Sequence, residues 1–209
     1  MPRTYLYKLT SDRGGAPCAI QPAPGEDPLL TLAICKPAIR RTAQPGDRIL
    51  GITSHSLAHS DGYPLGAVIY AAIVREGLDA RDYFTPDHTH RPDCIYQFHQ
   101  HNGTASHNAR SRLHAAPEHL LKDLGTYPFY RNGRILLSHD FRYFGPAAVR
   151  IPARLHLLTQ AAEALGQGHR VYTDRDPESK EADALFRHLW KRPTAYTSTQ
   201  VDSDAYEKH

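Results

Sequence analysis

Cys35 closes the apolar run "LLTLAIC" and is followed at once by Lys36 and Pro37, with Arg40 and Arg41 one helical turn further on. A thiol beside a lysine and near a helix N-terminus stands in surroundings that favour its nucleophilic form. A cysteine at the end of a buried strand equally suits an inert apolar position. Lys36, Arg40 and Arg41, with Arg13 in the preceding loop, are residue types that grip phosphate, because ammonium and guanidinium groups pair with its oxygens. Phe141, Tyr143 and Phe144, with Tyr96 and Tyr130, offer ring planes on which a base can stack, and strand alternation puts Phe141 and Tyr143 on one face. His169 with Asp12 or Asp47 supplies the types for proton transfer, although spacing gives no distance between them.

Fourteen histidines and three cysteines raise the question of a metal. His88 with His90 and His99 with His101 are two apart, with Cys94 between the pairs. No accepted zinc spacing is met, so the expectation is no metal and no cofactor. Cys18, Cys35 and Cys94 cannot all pair, which fits a reducing compartment. A net charge of +3 permits an anionic partner without requiring one. No apolar run approaches the roughly 18 residues of a membrane span, and the start, Met-Pro-Arg-Thr-Tyr, has no signal-like apolar core, so a cytoplasmic protein is expected.

These residues need elements to hold them. "RTYLYKLT" alternates as a first strand, and "LLTLAIC" reads as a short buried one. Pro37 suits the first turn of a helix over about 37–43, which Pro45-Gly46 ends before a strand from Arg48 to Ile52. "SHSLAHSDGYP" reads as a polar turn. "LGAVIYAAIVREGL" is ambiguous between helix and strand, with its flanking glycines favouring strand. Asp79 fits the N-cap of a single helical turn, and "CIYQF" a short strand. "HQHNGTASHNARSRLHAAPEH" is polar and basic, and reads as a long mobile excursion. "GRILLSHDFRYFG" runs from a strand into an aromatic cluster. "ARLHLLTQAAEAL" and "EADALFRHLWKR" carry helical periodicity, and the last residues read as a tail. The division expected is one domain over 1–180 and a C-terminal helix with flexible tail over 181–209.

Several motifs occur in one order: Asp12, Gly14, Ala16 and Pro17; then Thr31, Leu32, Ala33, Cys35, Lys36, Pro37, Ile39 and Arg40; then Gly46, Asp47, Ile49 and Gly51. Ser138, Phe141, Tyr143, Phe144 and Gly145 follow, then Gly168, His169 and Arg170. In this order they resemble the nucleotide modification associated domain 2 family. More distantly the pattern resembles the PUA-like superfamily with its EVE, ASCH and YTH modules. The resemblance implies an α+β fold of PUA-like type: a curved, mostly antiparallel sheet or small β-barrel with flanking helices. It implies a role beside bacterial or phage DNA-modification enzymes, in which the chain binds a modified or flipped nucleobase in nucleic acid or nucleotide. Asp12, Lys36, Arg40, Ser138, Phe141, Tyr143, His169 and Arg170 are the expected nucleotide-binding set. The competing expectation is an enzyme acting on a nucleobase or nucleotide through Cys35, Asp12 or His169.

Overall fold

The computed structural model describes residues 2–196, so the expected tail beyond Tyr196 lies outside the described residues. In chain order the elements are β1 (Thr4–Leu9), β2 (Leu30–Leu32), α1 (Pro37–Thr42), β3 (Arg48–Thr53), α2 (His55–Asp61), β4 (Val68–Ile73), β5 (Glu76–Asp79), α3 (Ala80–Tyr83), β6 (Tyr96–Phe98), β7 (Ala105–His107), α4 (Pro117–Leu124), β8 (Arg134–Ser138), β9 (Asp140–Tyr143), α5 (His156–Ala164), β10 (His169–Tyr172) and α6 (Glu178–Leu189). The fold is α+β. Two compact units share the chain: Met1–Asp12 with Ala43–Glu76 and Ser138–Tyr196, and Arg13–Thr42 with Gly77–Leu137.

The first unit is built on a five-stranded sheet in the order β10-β1-β3-β4-β9, with β1 parallel to β3 and the other pairs antiparallel. Its two edge strands do not meet, so of the two forms the resemblance implies, a mostly antiparallel sheet or a small β-barrel, this chain has the open sheet. Leu6, Leu50, Ile52 and Val68 pack with Leu158 and Ala162 of α5 and Leu185 and Leu189 of α6. Burial on this scale is the main stabilising term. The Gly-Asp motif has a local reason here. Gly46 turns with φ +88°, a conformation that a Cβ disfavours. The Asp47 carboxylate accepts from the backbone N–H and guanidinium of Arg3 at 2.7–3.0 Å and from the Gln44 N–H at 2.8 Å. Gly51 sits where a Cβ would lie 2.3 Å from the Tyr70 ring and 2.6 Å from Leu9.

The segment "SHSLAHSDGYP", expected as a turn, contains α2. The Ser54 hydroxyl accepts from the Leu57 N–H as an N-cap, and Gly62 ends the helix in the left-handed conformation. The ambiguous run is β4, whose branched residues fill a sheet buried on both faces.

The second unit holds a three-stranded sheet, β2-β8-β5, and the hairpin of β6 and β7. Asp79 caps α3, as its type and place predict. A buried polar network fixes β2: Tyr83 donates to Asp93 Oδ1 at 2.8 Å, Thr31 donates to Asp93 Oδ2, and Arg91 donates to the Thr31 hydroxyl at 3.0 Å and the Cys18 carbonyl at 3.1 Å. The stretch read as a mobile excursion is ordered instead. It supplies β7, whose register pairs Tyr96 with His107 and Phe98 with Ala105, and His107 Nε2 donates to the Leu113 carbonyl at 2.7 Å. α4 follows, with Pro117 in its first turn and Gly125 past its end.

Candidate active site

Three elements of the second unit converge on Cys35. The residue lies in the turn between β2 and α1, at φ +57°, and Lys36 follows at φ +44°. Two consecutive non-glycine residues in the left-handed region cost on the order of 1–3 kcal/mol each, a strain that clusters at functional sites. A sharp strand-to-helix turn of this kind projects a nucleophile away from its own backbone. His114 is a third strained residue, at φ +50°.

His114 Nε2 lies 3.4 Å from Cys35 Sγ, and its Nδ1 lies 2.5 Å from Asp123 Oδ2. The same carboxylate oxygen accepts from the Tyr96 hydroxyl at 2.8 Å, and Oδ1 accepts the Cys35 backbone N–H at 2.7 Å. Asp123 is buried, whereas Cys35 and His114 are partly exposed. The line thiol, imidazole, carboxylate is the arrangement of nucleophile, base and orienting group in covalent catalysis. Burial alone would lower the His114 pKa, but its hydrogen bonds and charge interactions with Asp123 and Cys35 raise it to about 10. Burial pushes Asp123 upward, and the bonds from His114, the Cys35 N–H and Tyr96 outweigh it, so the carboxyl is held below its ordinary range. The imidazolium is therefore the favoured form beside this carboxylate.

Sequence motifs around the site are explained by what they hold. Arg40 is fully buried; its guanidinium donates to the carbonyls of Cys35 at 2.7 Å, Asp123 and Asn132 at 2.6 Å each, and Arg134 at 2.8 Å. One side chain thus ties the backbones of two members of the triad. Burial lowers its pKa to about 10, against the opposing charges of Asp123 and Cys35. The phosphate contact expected of Arg40 is corrected by this observation, because its donors face carbonyls and none of it reaches solvent. Gly15 permits a close approach. A Cβ there would meet Leu113 at 2.9 Å and Ile34 at 3.1 Å, the neighbours of His114 and Cys35.

The same three side chains each offer one metal-ligand atom, all within 4.8 Å of one another, and form the one such group among the described residues. Asp123 already accepts three donors, and it faces Nδ1 while the thiol faces Nε2. A single ion cannot use both sides of the ring, so the hydrogen-bonded line accounts for the geometry better. Cys94 is buried and its thiol is pushed up to about 12 by burial, and His88 Nδ1 is bound to the Tyr83 carbonyl at 2.8 Å.

The other expected residues fall into two places. Lys36, half-buried, stands beside Cys35 in the second unit, and burial lowers its pKa against the charge of Cys35. The first unit brings Asp12 and Tyr143 together: the Tyr143 hydroxyl donates to Asp12 Oδ2 at 2.8 Å, and Tyr63 to the same oxygen at 3.0 Å. Burial raises the Asp12 pKa despite these bonds, and its Oδ1 has no partner among the described residues. Phe141 and Tyr143 are 3% exposed and Phe144 5%, so these rings are core rather than an open stacking face. The Ser138 hydroxyl donates to the Asp140 carbonyl at 2.9 Å. His169 stacks on Tyr5, and Arg170 is exposed on the edge strand β10.

His114 and Asp123 were missed because they lie in and just beyond the segment read as mobile. A helix bounded by Pro117 and Gly125, with Leu120 and Leu124 four apart, was the available signal.

An α+β fold with a strained cysteine in a strand-to-helix turn defines the class of protein. A family model described as nucleotide modification associated domain 2 matches residues 1–196, and the chain belongs to that family. Its role is thereby associated with nucleotide modification. Comparison with curated proteins and with solved structures finds no match. Among the described residues no helix is long and apolar enough to cross a membrane.

Proposed function

We propose that this protein is an enzyme of nucleic-acid or nucleotide modification that works through a transient covalent bond to Cys35. The observation that carries this is the hydrogen-bonded line from Cys35 Sγ through His114 to Asp123 at 3.4 and 2.5 Å. His114 holds the proton it shares with the thiol as an imidazolium that Asp123 stabilises, so that the sulfur acts as the thiolate of an ion pair. The sulfur electron pair then forms a bond to an electron-poor carbon of the base. The displaced ring electrons are carried by the conjugated carbonyl until the step reverses and the sulfur leaves as thiolate beside the His114 imidazolium. In acyl-transfer enzymes the nucleophile's own N–H faces the oxyanion. Here the Cys35 N–H is bound by Asp123, which favours a substrate whose ring holds the developing charge itself. Recognition of a modified or flipped base is then the step before chemistry. As a function in itself it is less favoured, because the aromatic residues expected to stack the base are buried.

The test has two arms. Native protein is treated with iodoacetamide, and Cys35 labelling is followed by peptide mass. It should label faster in the folded protein than in urea, and His114→Ala should remove the excess. An oligonucleotide carrying 5-fluoropyrimidines should add its mass to the wild-type chain and not to Cys35→Ser. Slower labelling of Cys35 in the folded state than in urea, together with no adduct, would sink the proposal.

A further inference from the structure

The second unit also exposes apolar surface that its core does not use. Phe129 is 75% exposed, Leu121 54% and Tyr127 52%. They border a recess of about 590 Å³ with Arg41, Arg131, Thr126 and Asn132, and no carboxylate lines it. Scattered apolar residues on a surface need no explanation, but two neighbouring aromatics framed by arginines form a patch with a definite chemistry.

The patch is held rigidly. Tyr130 N–H donates to the Thr126 carbonyl at 2.9 Å, Asn132 N–H to the Leu124 carbonyl at 2.8 Å, and Gly133 N–H to the Tyr130 carbonyl at 2.7 Å. Asn132 Nδ2 donates to the Lys122 carbonyl at 3.0 Å, and its Oδ1 accepts from Arg41. Beneath the loop, Arg81 donates to the Pro128 carbonyl at 2.9 Å and lies 5.3 Å from the centre of the Tyr130 ring, which meets Tyr127 edge-on at 6.1 Å. The Arg131 guanidinium has no side-chain partner among the described residues.

We infer that this surface docks a single-stranded polynucleotide, with Phe129 and Tyr127 stacking unpaired bases and Arg41 and Arg131 holding the adjoining phosphates. Ring faces accept any base, and arginine supplies both charge and a planar fork, so binding is tolerant of sequence and sensitive to salt. A duplex keeps its base faces stacked within itself and offers the rings nothing. Leu121 and Asp123 are two apart on α4, which turns them to opposite sides of the helix. The inference rests on the nucleotide-modification reading for its choice of ligand, but binding is measured without any reaction.

The experiment is fluorescence anisotropy with labelled 12-residue single-stranded DNA, single-stranded RNA and duplex DNA, on the full chain and on Cys35→Ser. Single strands should bind both proteins, and the two strand types separate a DNA from an RNA ligand. Phe129→Ala should weaken binding about 5-fold or more. Arg131→Ala should lower the log-log salt slope by about 0.7. Circular dichroism should show both variants folded, as these side chains are outside the core. If single strands bind and no adduct forms on Cys35, the catalytic proposal fails alone. If an adduct forms while Phe129→Ala and Arg131→Ala bind like wild type, this inference fails alone. Preferential duplex binding overturns it as well, and so does self-association that Phe129→Ala abolishes with oligonucleotide affinity unchanged.

Discussion

Arg40→Ala tests whether the basic residue in the sequence motif grips a ligand or holds the site together. The structure gives it four hydrogen bonds to carbonyls at 2.6–2.8 Å and no exposed surface. Hydrogen bonds from a charged donor contribute about 1.5–3 kcal/mol each, so a simple sum would reach roughly 6–12 kcal/mol. That sum overshoots, because removing the guanidinium also removes the cost of burying it, and neighbouring bonds are not additive. Breaking a buried charged network typically costs about 3–5 kcal/mol, which is a large part of a total stability of about 5–15 kcal/mol. For a chain of this length the loss corresponds to a Tm lower by roughly 6–20 °C. Arg40→Lys keeps the charge but lacks the fork, and should fall between the two. Urea and thermal unfolding by circular dichroism measure the loss, and iodoacetamide labelling reports whether the Cys35 turn keeps its reactivity. An Arg40→Ala protein within about 0.5 kcal/mol of wild type, with an unchanged urea m-value, would refute the structural role. Weakened oligonucleotide binding at full stability would restore the phosphate contact.

The His114–Asp123 pair makes stability depend on pH in a defined direction. The folded His114 pKa of about 10 exceeds its ordinary 6.5, so its contribution is complete below pH 6.5 and is lost as pH rises through about 10. Asp123 is lowered from 3.8, so its contribution is present above pH 3.8 and is lost as pH falls through the lowered value. His114→Gln should flatten the decline of Tm between pH 7 and 10; an equally steep decline would remove His114 as its source. Gly51→Ala places a Cβ 2.3 Å from the Tyr70 ring in the core of the first unit, and should cost about 1–3 kcal/mol or more in urea unfolding. A neutral effect would mean that the Tyr70 ring can move aside freely.

Local chemistry carried the sequence a long way. The α+β class, β1, the Asp79 cap and the helix at Pro37 are set by neighbours in the chain: alternation, capping oxygens, and a proline whose missing N–H costs nothing in a first turn. The family is written in short motifs, and the structure shows why several of their residues are required. Gly46 and Gly51 meet backbone and packing demands, and Asp47 gathers orphan N–H groups. Cys35 was legible as a candidate nucleophile, beside its reading as an inert apolar residue, for a local reason too: its place between an apolar strand and a helix, with Lys36 next to it.

What the sequence could not supply was its partners. His114 lies 79 residues beyond Cys35 and Asp123 88 residues beyond it, and no periodicity relates positions so far apart. Polar composition made their segment look mobile, because its order comes from pairing with β6 and from the bond of His107 to the Leu113 carbonyl rather than from any apolar pattern of its own. Arg40 shows the same limit in reverse. A basic residue on a short helix reads as a ligand contact until the tertiary structure surrounds it with carbonyls. Residue type and local spacing determined which groups can do chemistry, and only the fold decided which of them face one another and which are buried, because burial and long-range approach are properties of the whole packed chain.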